Sequence, residues 1–472
     1  MSDLMVGIDV GTSRLKAGVF DTTGTPVAFA QRECPVSTRD QNTAELDANV
    51  WWQALQEAIS DCLKRADAGA VRAIGLSSQA QSYVWTDDKG QAAGPAISWL
   101  DRRGDGPGVA TALSAYDFYR HTGWADADPM LAVCKLRQGT GRPDVCDARG
   151  HLLFTDGFLI HRLCGETVIS RNLAAMTGLY SLKESDWWEP ALKCAHVDRE
   201  LLPAIRDVGE QAGSLRPEIA RHWGTECIPV VTGANDQTAA AIGAGLCRPG
   251  DVNLGLGTAL VAYQVIRPDS PPPVARPLRG EYVNGLNFQL TLHNTAGGVV
   301  EWARNTFCCE ASWDRFFDVA LSAAPGADGL ICRPDFSADS GGSVRGLALG
   351  HERPQLLRAI LEGVALTARE KLDQLDAPEE ITVTGAASAN DRWMQLMADV
   401  TGRAIKALNR SQTTLWGTAL AAGAGAELFP DILEVSRERR STRSRFMPAP
   451  AGKKIYDTLY TNFRQTGAQG AK

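Results

Sequence analysis

Two stretches of this chain, separated by about half its length, open in the same way. Met5-Val6-Gly7-Ile8-Asp9-Val10 is an apolar run that breaks at Gly11-Thr12 and resumes through Leu15, Ala17, Val19 and Phe20. Val252-Asn253-Leu254-Gly255-Leu256 breaks at Gly257-Thr258 and resumes through Leu260 to Val265, 246 residues further on. Each reads as strand, tight turn, strand. A spacing this long points to a duplicated architecture rather than a short-period repeat. With 472 residues there is enough chain for two cores, and the partition expected is 1–245 and 246–472.

The elements between these openings alternate. Val27 to Gln31 continues the first hairpin as a third strand. Asp47 is placed to cap a helix from about Val50 to Arg65, with Trp52, Leu55, Ile59, Cys62 and Leu63 at helical spacing. Val71 to Leu76 and Tyr83 to Trp85 are strands, and Gly104 to about Arg221 mixes short helices with loops. A long helix is expected from Pro354, which suits a first helical position. Strand Ile381 to Thr384 leads into Gly385, and a helix from Asp391 should stop at Gly402. The arginines 437, 439, 440, 443 and 445 read as a solvated tail segment.

Val230-Val231-Thr232-Gly233-Ala234-Asn235-Asp236-Gln237 carries a carboxylate at a strand-to-helix junction, before an alanine-rich segment. Asp236 there either caps the helix or presents its carboxylate to a ligand. Asp9 lies inside an apolar strand. Ionised, it needs a cation such as hydrated Mg²⁺, a Lys or Arg partner, or exposure at the strand end. Strands ending in glycine turns before helices are read at Gly11, Gly233, Gly257 and Gly385. Such turns expose N–H groups suited to phosphate oxygens. No P-loop, no GxGxxG opening a βαβ unit and no GxSxG elbow is present, so a nucleotide must be held another way.

Net charge is −7 with a pI near 5.6, which argues against a nucleic-acid binder held by bulk electrostatics. No apolar run is long enough to span a bilayer. The start lacks the basic n-region of a signal peptide, so a cytoplasmic protein with no membrane partner is expected. Eleven cysteines, an odd number without a CxxC pair, suit reduced, mostly buried thiols.

In order and spacing, the motifs resemble the FGGY family of carbohydrate kinases, including its xylulose-kinase-like and glycerol-kinase-like members. The resemblance spans nearly the whole chain. It is carried by Gly7 to Ser13 with Lys16, Gly75-Leu76-Ser77-Ser78-Gln79, Ile97 to Arg103, Gly233 to Gln237, Gly255 to Thr258, Gly297 to Trp302, Gly385 to Asn390 and Trp416 to Leu420. It implies an α/β fold of two actin-like (ribonuclease-H-like) domains with a central cleft. The first domain would bind sugar and carry the catalytic Asp; the second, with a C-terminal tail, would bind nucleotide. It further implies ATP and Mg²⁺ as cofactors, a small-molecule sugar or polyol as partner, and a homodimer as one allowed assembly.

In that reading Asp236 takes the proton of the attacking hydroxyl. Gln79, Gln81, Trp99, Asp101 and Gln237 join it around the substrate. Thr12, Ser13, Lys16, Gly257 and Thr258 attend the ATP phosphates, and Asp9 holds Mg²⁺ through water. Gly297, Glu301, Gly385, Ala386 and Asn390 flank the adenosine. A base of ordinary pKa at a helix start is expected to be ionised at neutral pH, needing position rather than a shift.

The chain departs from the family pattern at informative places. Glycerol kinases carry Arg-Glu after the Gln and xylulose kinases usually Met-His; here Ala80-Gln81 follow Gln79. The Gly-Glu-Arg-Thr-Pro segment of xylulose kinases is missing from 335–342, and Ala386 stands where a second glycine is usual. The favoured substrate class is a ketopentose such as xylulose or ribulose. The alternatives are a glycerol- or erythritol-type polyol and a non-catalytic sugar or nucleotide sensor; an actin-like filament protein is disfavoured.

Overall fold

The computed structural model describes all residues except 1, 144–149, 258, 310, 337–340, 410–411 and 469–472. The chain forms two compact units. The first comprises Met1–Cys247, Leu278–Phe288 and Gln412–Arg440; the second comprises Arg248–Pro277, Gln289–Ser411 and Ser441–Lys472. The expected partition near residue 245 is therefore too simple. A late segment of the chain returns to complete the first unit.

The first unit is built on a sheet whose strands run in the order Gln211–Ser214, Pro229–Asn235, Val71–Ser78, Leu4–Val10, Arg14–Asp21, Pro26–Glu33. Leu4–Val10 pairs antiparallel with its hairpin partner Arg14–Asp21 and parallel with Val71–Ser78. Every residue of Leu4–Val10 is buried, the pattern of a strand covered on both faces. One cover is a core of Trp51, Leu55 and Ile59 from helix Ala48–Leu63 with Phe158 and Leu159 from helix Thr155–Cys164. Asp47 caps the first of these, accepting from the Asn49 N–H at 2.9 Å.

The other cover includes helix Thr413–Gly425, which lies directly on the strands because glycines face it. A Cβ on Gly75 would stand 2.6 Å from the Thr418 carbonyl, and one on Gly7 would run into the Leu415 carbonyl. Gly417 and Gly243 do the same for helix against helix. A Cβ on either would collide with the backbone of the partner helix, Asp236–Gly243 or Thr413–Gly425. Close backbone approach, not glycine flexibility, is what these positions need.

A smaller five-stranded sheet, Ser37–Thr38, Ala44–Leu46, Ala96–Ile97, Tyr83–Trp85 and Leu152–Phe154, belongs to the same unit. Short helices including Ala115–Thr122, Ala132–Arg137 and Glu189–Ala195 share a core of Tyr83, Trp85, Phe118, Leu131, Tyr180 and Trp188.

The second unit repeats the strand order: Asn287–His293, Leu260–Ile266, Val252–Leu256, Glu380–Thr384, Ala404–Leu408, Thr442–Phe446. Again a hairpin, Val252–Leu256 with Leu260–Ile266, lies beside two parallel strands, and an antiparallel strand follows. The duplication expected from the two Gly-Thr openings is present. Helix Arg353–Asp373 starts with a capping box between Glu352 and Gln355, and Asp391–Thr401 ends at Gly402 in the left-handed region, φ 68°.

The arginine run is not a free tail. Arg437 lies in helix Ile432–Glu438 and Arg440 packs beside Gly245. Arg443 and Arg445 sit on the strand Thr442–Phe446 and pair with Asp391 and Glu380 at 2.6 Å each. Charged side chains on an outer strand also discourage edge-to-edge pairing. No helix among the described residues is long and apolar enough to cross a membrane.

Candidate active site

Three parallel strands of the first unit deliver their carboxyl ends side by side. Asp9 stands level with Ser77, Val10 with Ser78, and Ser78 with Asn235. The Gln79 N–H donates to the Val10 carbonyl at 2.9 Å. Open α/β sheets bind ligands at such strand ends. The side chains of Asp9, Gln79 and Asp236 are thus grouped by sheet register.

Asp236 is the first residue of its helix rather than the cap. Asn235 caps it, its side-chain oxygen accepting from the Thr238 N–H at 2.8 Å. The Asp236 carboxylate accepts from the Gln237 N–H at 2.8 Å and from the Gln237 amide at 3.4 Å. The Gly233 turn expected before it lies inside strand Pro229–Asn235. Gly11 and Gly257, likewise, each close a hairpin between two strands and do not precede a helix.

Burial raises the Asp236 pKa above the ordinary carboxylate value, against the Gln237 hydrogen bonds and the Lys16 charge. The expectation of an unshifted base is corrected here: desolvation outweighs the helix start. Asp9 is pushed up to about 7, by burial first and then by repulsion from Asp236, with Lys16 opposing. Lys16 faces Asp9 across the hairpin, its Nζ 3.9 Å from Oδ2, while Oδ1 is buried without a hydrogen-bond partner.

On the hairpin turn, the Thr12 hydroxyl accepts from the Trp99 indole N–H at 2.8 Å, and Ser13 is exposed beside it. Gln79 is 6 % exposed, yet neither its amide oxygen nor its nitrogen has a partner. A buried amide with no partner at the carboxyl end of a sheet strand calls for a polar ligand to satisfy it.

Two other expected contacts spend their polar atoms on the chain itself. The Gln81 amide accepts from the Ala132 N–H at 2.6 Å and donates to the Met176 carbonyl, with the residue held at φ 68°. Asp101, fully buried, accepts from the Ala44 N–H at 2.9 Å and pairs with Arg103, which also reaches Glu45.

Sequence reasoning missed Asn172. It is fully buried, its Oδ1 accepts from the Asn235 N–H at 2.7 Å, and its Nδ2 donates to the Thr238 hydroxyl at 3.0 Å. It therefore grips both ends of the turn that carries Asp236. No local pattern marks it, because its partners lie more than sixty residues away.

In the second unit, several of the residues expected to flank the nucleotide lie near the carboxyl ends of Val252–Leu256 and Glu380–Thr384. The Gly257 carbonyl accepts from the Gly297 N–H at 3.0 Å, joining that turn to the start of helix Gly297–Cys308, on which Glu301 is exposed. Gly385 has φ 101°, and a Cβ there would strike the Leu256 carbonyl. Ala386 opens the single turn Ala386–Ala389, and Asn390 caps Asp391–Thr401 by accepting from the Trp393 N–H at 3.0 Å. Thr258 lies outside the described residues.

The family model for the N-terminal domain of FGGY carbohydrate kinases matches residues 4–243, and that for the C-terminal domain matches residues 256–426. The chain belongs to the FGGY family of carbohydrate kinases. It is a phosphotransferase with an alcohol group as acceptor, on the two-domain actin-like fold. A glycerol kinase from Methylobacterium nodulans is 29% identical over 489 residues, 96% of this chain and 95% of its own. A gluconokinase from Bacillus subtilis is 27% identical over 440 residues, 85% and 83% of the two chains. Among solved structures, a xylulose kinase from Rhodospirillum rubrum aligns with a TM-score of 0.89 at 27% identity, covering 99% of this chain and 98% of that one. Similarity to these FGGY kinases spans three different acceptors.

Proposed function

We propose that this FGGY kinase transfers the γ-phosphoryl group of ATP to a hydroxyl of a ketopentose such as xylulose or ribulose. The observation that carries the reading is the buried Asp236 carboxylate at a helix start, one residue beyond Asn235, which sheet register sets level with Ser78 just before the unpartnered Gln79 amide. As the acceptor oxygen bonds to the γ-phosphorus, its proton passes to Asp236, and the bond to the β-phosphate oxygen breaks to release ADP. Gln79, Trp99 and Gln237 would orient the acceptor, while Gln81 and Asp101 hold the wall behind them. The hairpin of Thr12, Ser13 and Lys16, together with Gly257 and Thr258, would attend the phosphates. Gly297, Glu301, Gly385, Ala386 and Asn390 would flank the adenosine.

The residues present fit Mg²⁺. Asp9 offers a buried oxygen without a partner, and two mutually repelling carboxylates gain from a cation. Among the described residues no cluster of three or more His, Cys, Asp or Glu side chains could hold a metal alone. That suits an ion that keeps most of its waters and binds chiefly to nucleotide phosphates. Bound, it would neutralise charge on those phosphates. Residues Ala80 and Gln81 favour a ketose over glycerol, since a methyl group and an amide committed to the backbone leave no charged pair to grip a short triol.

The test is turnover with ATP and Mg²⁺ on a panel of pentuloses, hexuloses, polyols and aldonates. A pentulose should give the highest kcat/KM; a polyol or aldonate preferred by tenfold would replace the substrate class. ATP binding without phosphorylation of any acceptor would instead favour a sensor. Asp236→Asn should lower kcat by about 100-fold or more while acceptor affinity is retained. Near-normal turnover in that variant would remove Asp236 as the base.

A further inference from the structure

Lys135 has no exposed surface and no assigned role. It sits on helix Ala132–Arg137, and its Nζ donates to two backbone carbonyls, those of Gln81 and Ser98, each at 2.9 Å. The Tyr83 ring centroid lies 5.5 Å from the amine. Burial pushes the amine down to about 7, with the nearby Asp101 carboxylate opposing. Charged or neutral, it keeps N–H groups for both carbonyls.

Burying a lysine is costly, and space filling alone would be served by an unbranched apolar side chain such as methionine. What the lysine adds is a tie between two segments distant in sequence. Gln81 follows two residues after Gln79, whose buried amide has no partner. Ser98 immediately precedes Trp99, whose indole N–H donates to Thr12. The segments are tied in other ways as well: Tyr83 pairs with Ile97 in the small sheet, and the Trp99 N–H donates to the Ser82 hydroxyl at 2.9 Å. Loss of the amine should therefore loosen the two segments without dissolving them.

We propose that Lys135 is a positioning residue for the acceptor site, holding the Gln79–Gln81 turn against the Ser98–Trp99 loop and so setting the spacing between the Gln79 amide and the Trp99 ring. This rests on the reading that Gln79 and Trp99 face the acceptor. Lys135 acts through them and touches no reacting atom.

The test compares the full-length protein with its Lys135→Met variant. The acceptor KM should rise about tenfold or more, while the ATP KM changes by less than about twofold. The indole N–H resonance of Trp99, assigned by its loss in Trp99→Phe, should shift, whereas those of Trp223 and Trp393 stay in place. Unchanged acceptor KM with an unmoved Trp99 signal overturns the proposal. Movement of all three indole signals also overturns it, by showing a merely structural lysine. If the wild-type protein phosphorylates no acceptor, the kinase reading fails, and the Trp99 signal alone still decides whether the clamp exists. Should Lys135→Met not fold, Lys135→Gln, which keeps a donor on a shorter stem, carries the same comparison.

Discussion

Asp9→Asn should make the ligand-free protein more stable at pH 8. Asp9 is 6 % exposed, one of its oxygens has no partner, and its pKa stands at about 7 against an ordinary 3.8. Between those two values the folded chain holds a proton that the unfolded chain has released. The contribution of Asp9 to stability therefore falls as pH rises from about 4 to about 7, and levels off above. A displacement of about three pH units at ~1.4 kcal/mol each is a loss of roughly 4 kcal/mol at pH 8. Asparagine cannot ionise and escapes that loss. It should leave stability near wild type at pH 4 and exceed wild type by about 2–4 kcal/mol at pH 8. Urea unfolding in EDTA without nucleotide, from pH 4 to pH 8, measures the difference. Adding Mg²⁺ at pH 8 should stabilise the wild-type protein more than the variant, because only the wild type retains the carboxylate. A variant no more stable than wild type at pH 8, or one with the same pH slope, would refute the burial and repulsion assigned to Asp9.

Two further outcomes follow from geometry already described. Asn172→Ala removes the side chain that grips Asn235 and Thr238, and should lower kcat by about 10- to 100-fold with acceptor KM changed by less than about threefold, read by steady-state kinetics. Gly417→Ala sets a methyl group against the Ala239 carbonyl and should cost about 3 kcal/mol in urea unfolding. Gly350→Ala, with open space around its Cβ, should cost less than about 1 kcal/mol and serves as the control.

What could be read from the sequence was local. Asp47, Pro354 and Gly402 mark helix ends because a cap acts within one turn; the structure places Asp47 and Gly402 where expected, and Pro354 second in a helix that starts at Arg353. The two hairpins were legible because a strand, a tight turn and a second strand are contiguous. At Asp236 the local signal was one residue out, since Asn and Asp are equally good caps and only the folded backbone decides which oxygen meets the Thr238 N–H. Long-range features left no mark. Gln81 and Asp101 look like site residues in sequence, yet their polar atoms are committed to backbone and side chains far along the chain. Lys135 and Asn172 work only through such distant partners. Arg437, Arg439, Arg443 and Arg445 are exposed as a solvated segment should be, but the ion pairs that order Arg443 and Arg445 were not legible, because Asp391 and Glu380 lie fifty or more residues earlier.

The return of Gln412–Arg440 to the first unit bears on how the protein is made. Helix Thr413–Gly425 supplies cover for strands completed nearly two hundred residues before it. On a ribosome, those strands leave the exit tunnel with one apolar face bare. At ~5–20 residues per second the wait lasts roughly 10–30 s, while the second unit is being synthesised. During that interval the nascent first unit presents a glycine-studded hydrophobic sheet to whatever is nearby, a surface suited to a chaperone. Expression of the first 245 residues alone should yield the same exposed face permanently, and an insoluble product.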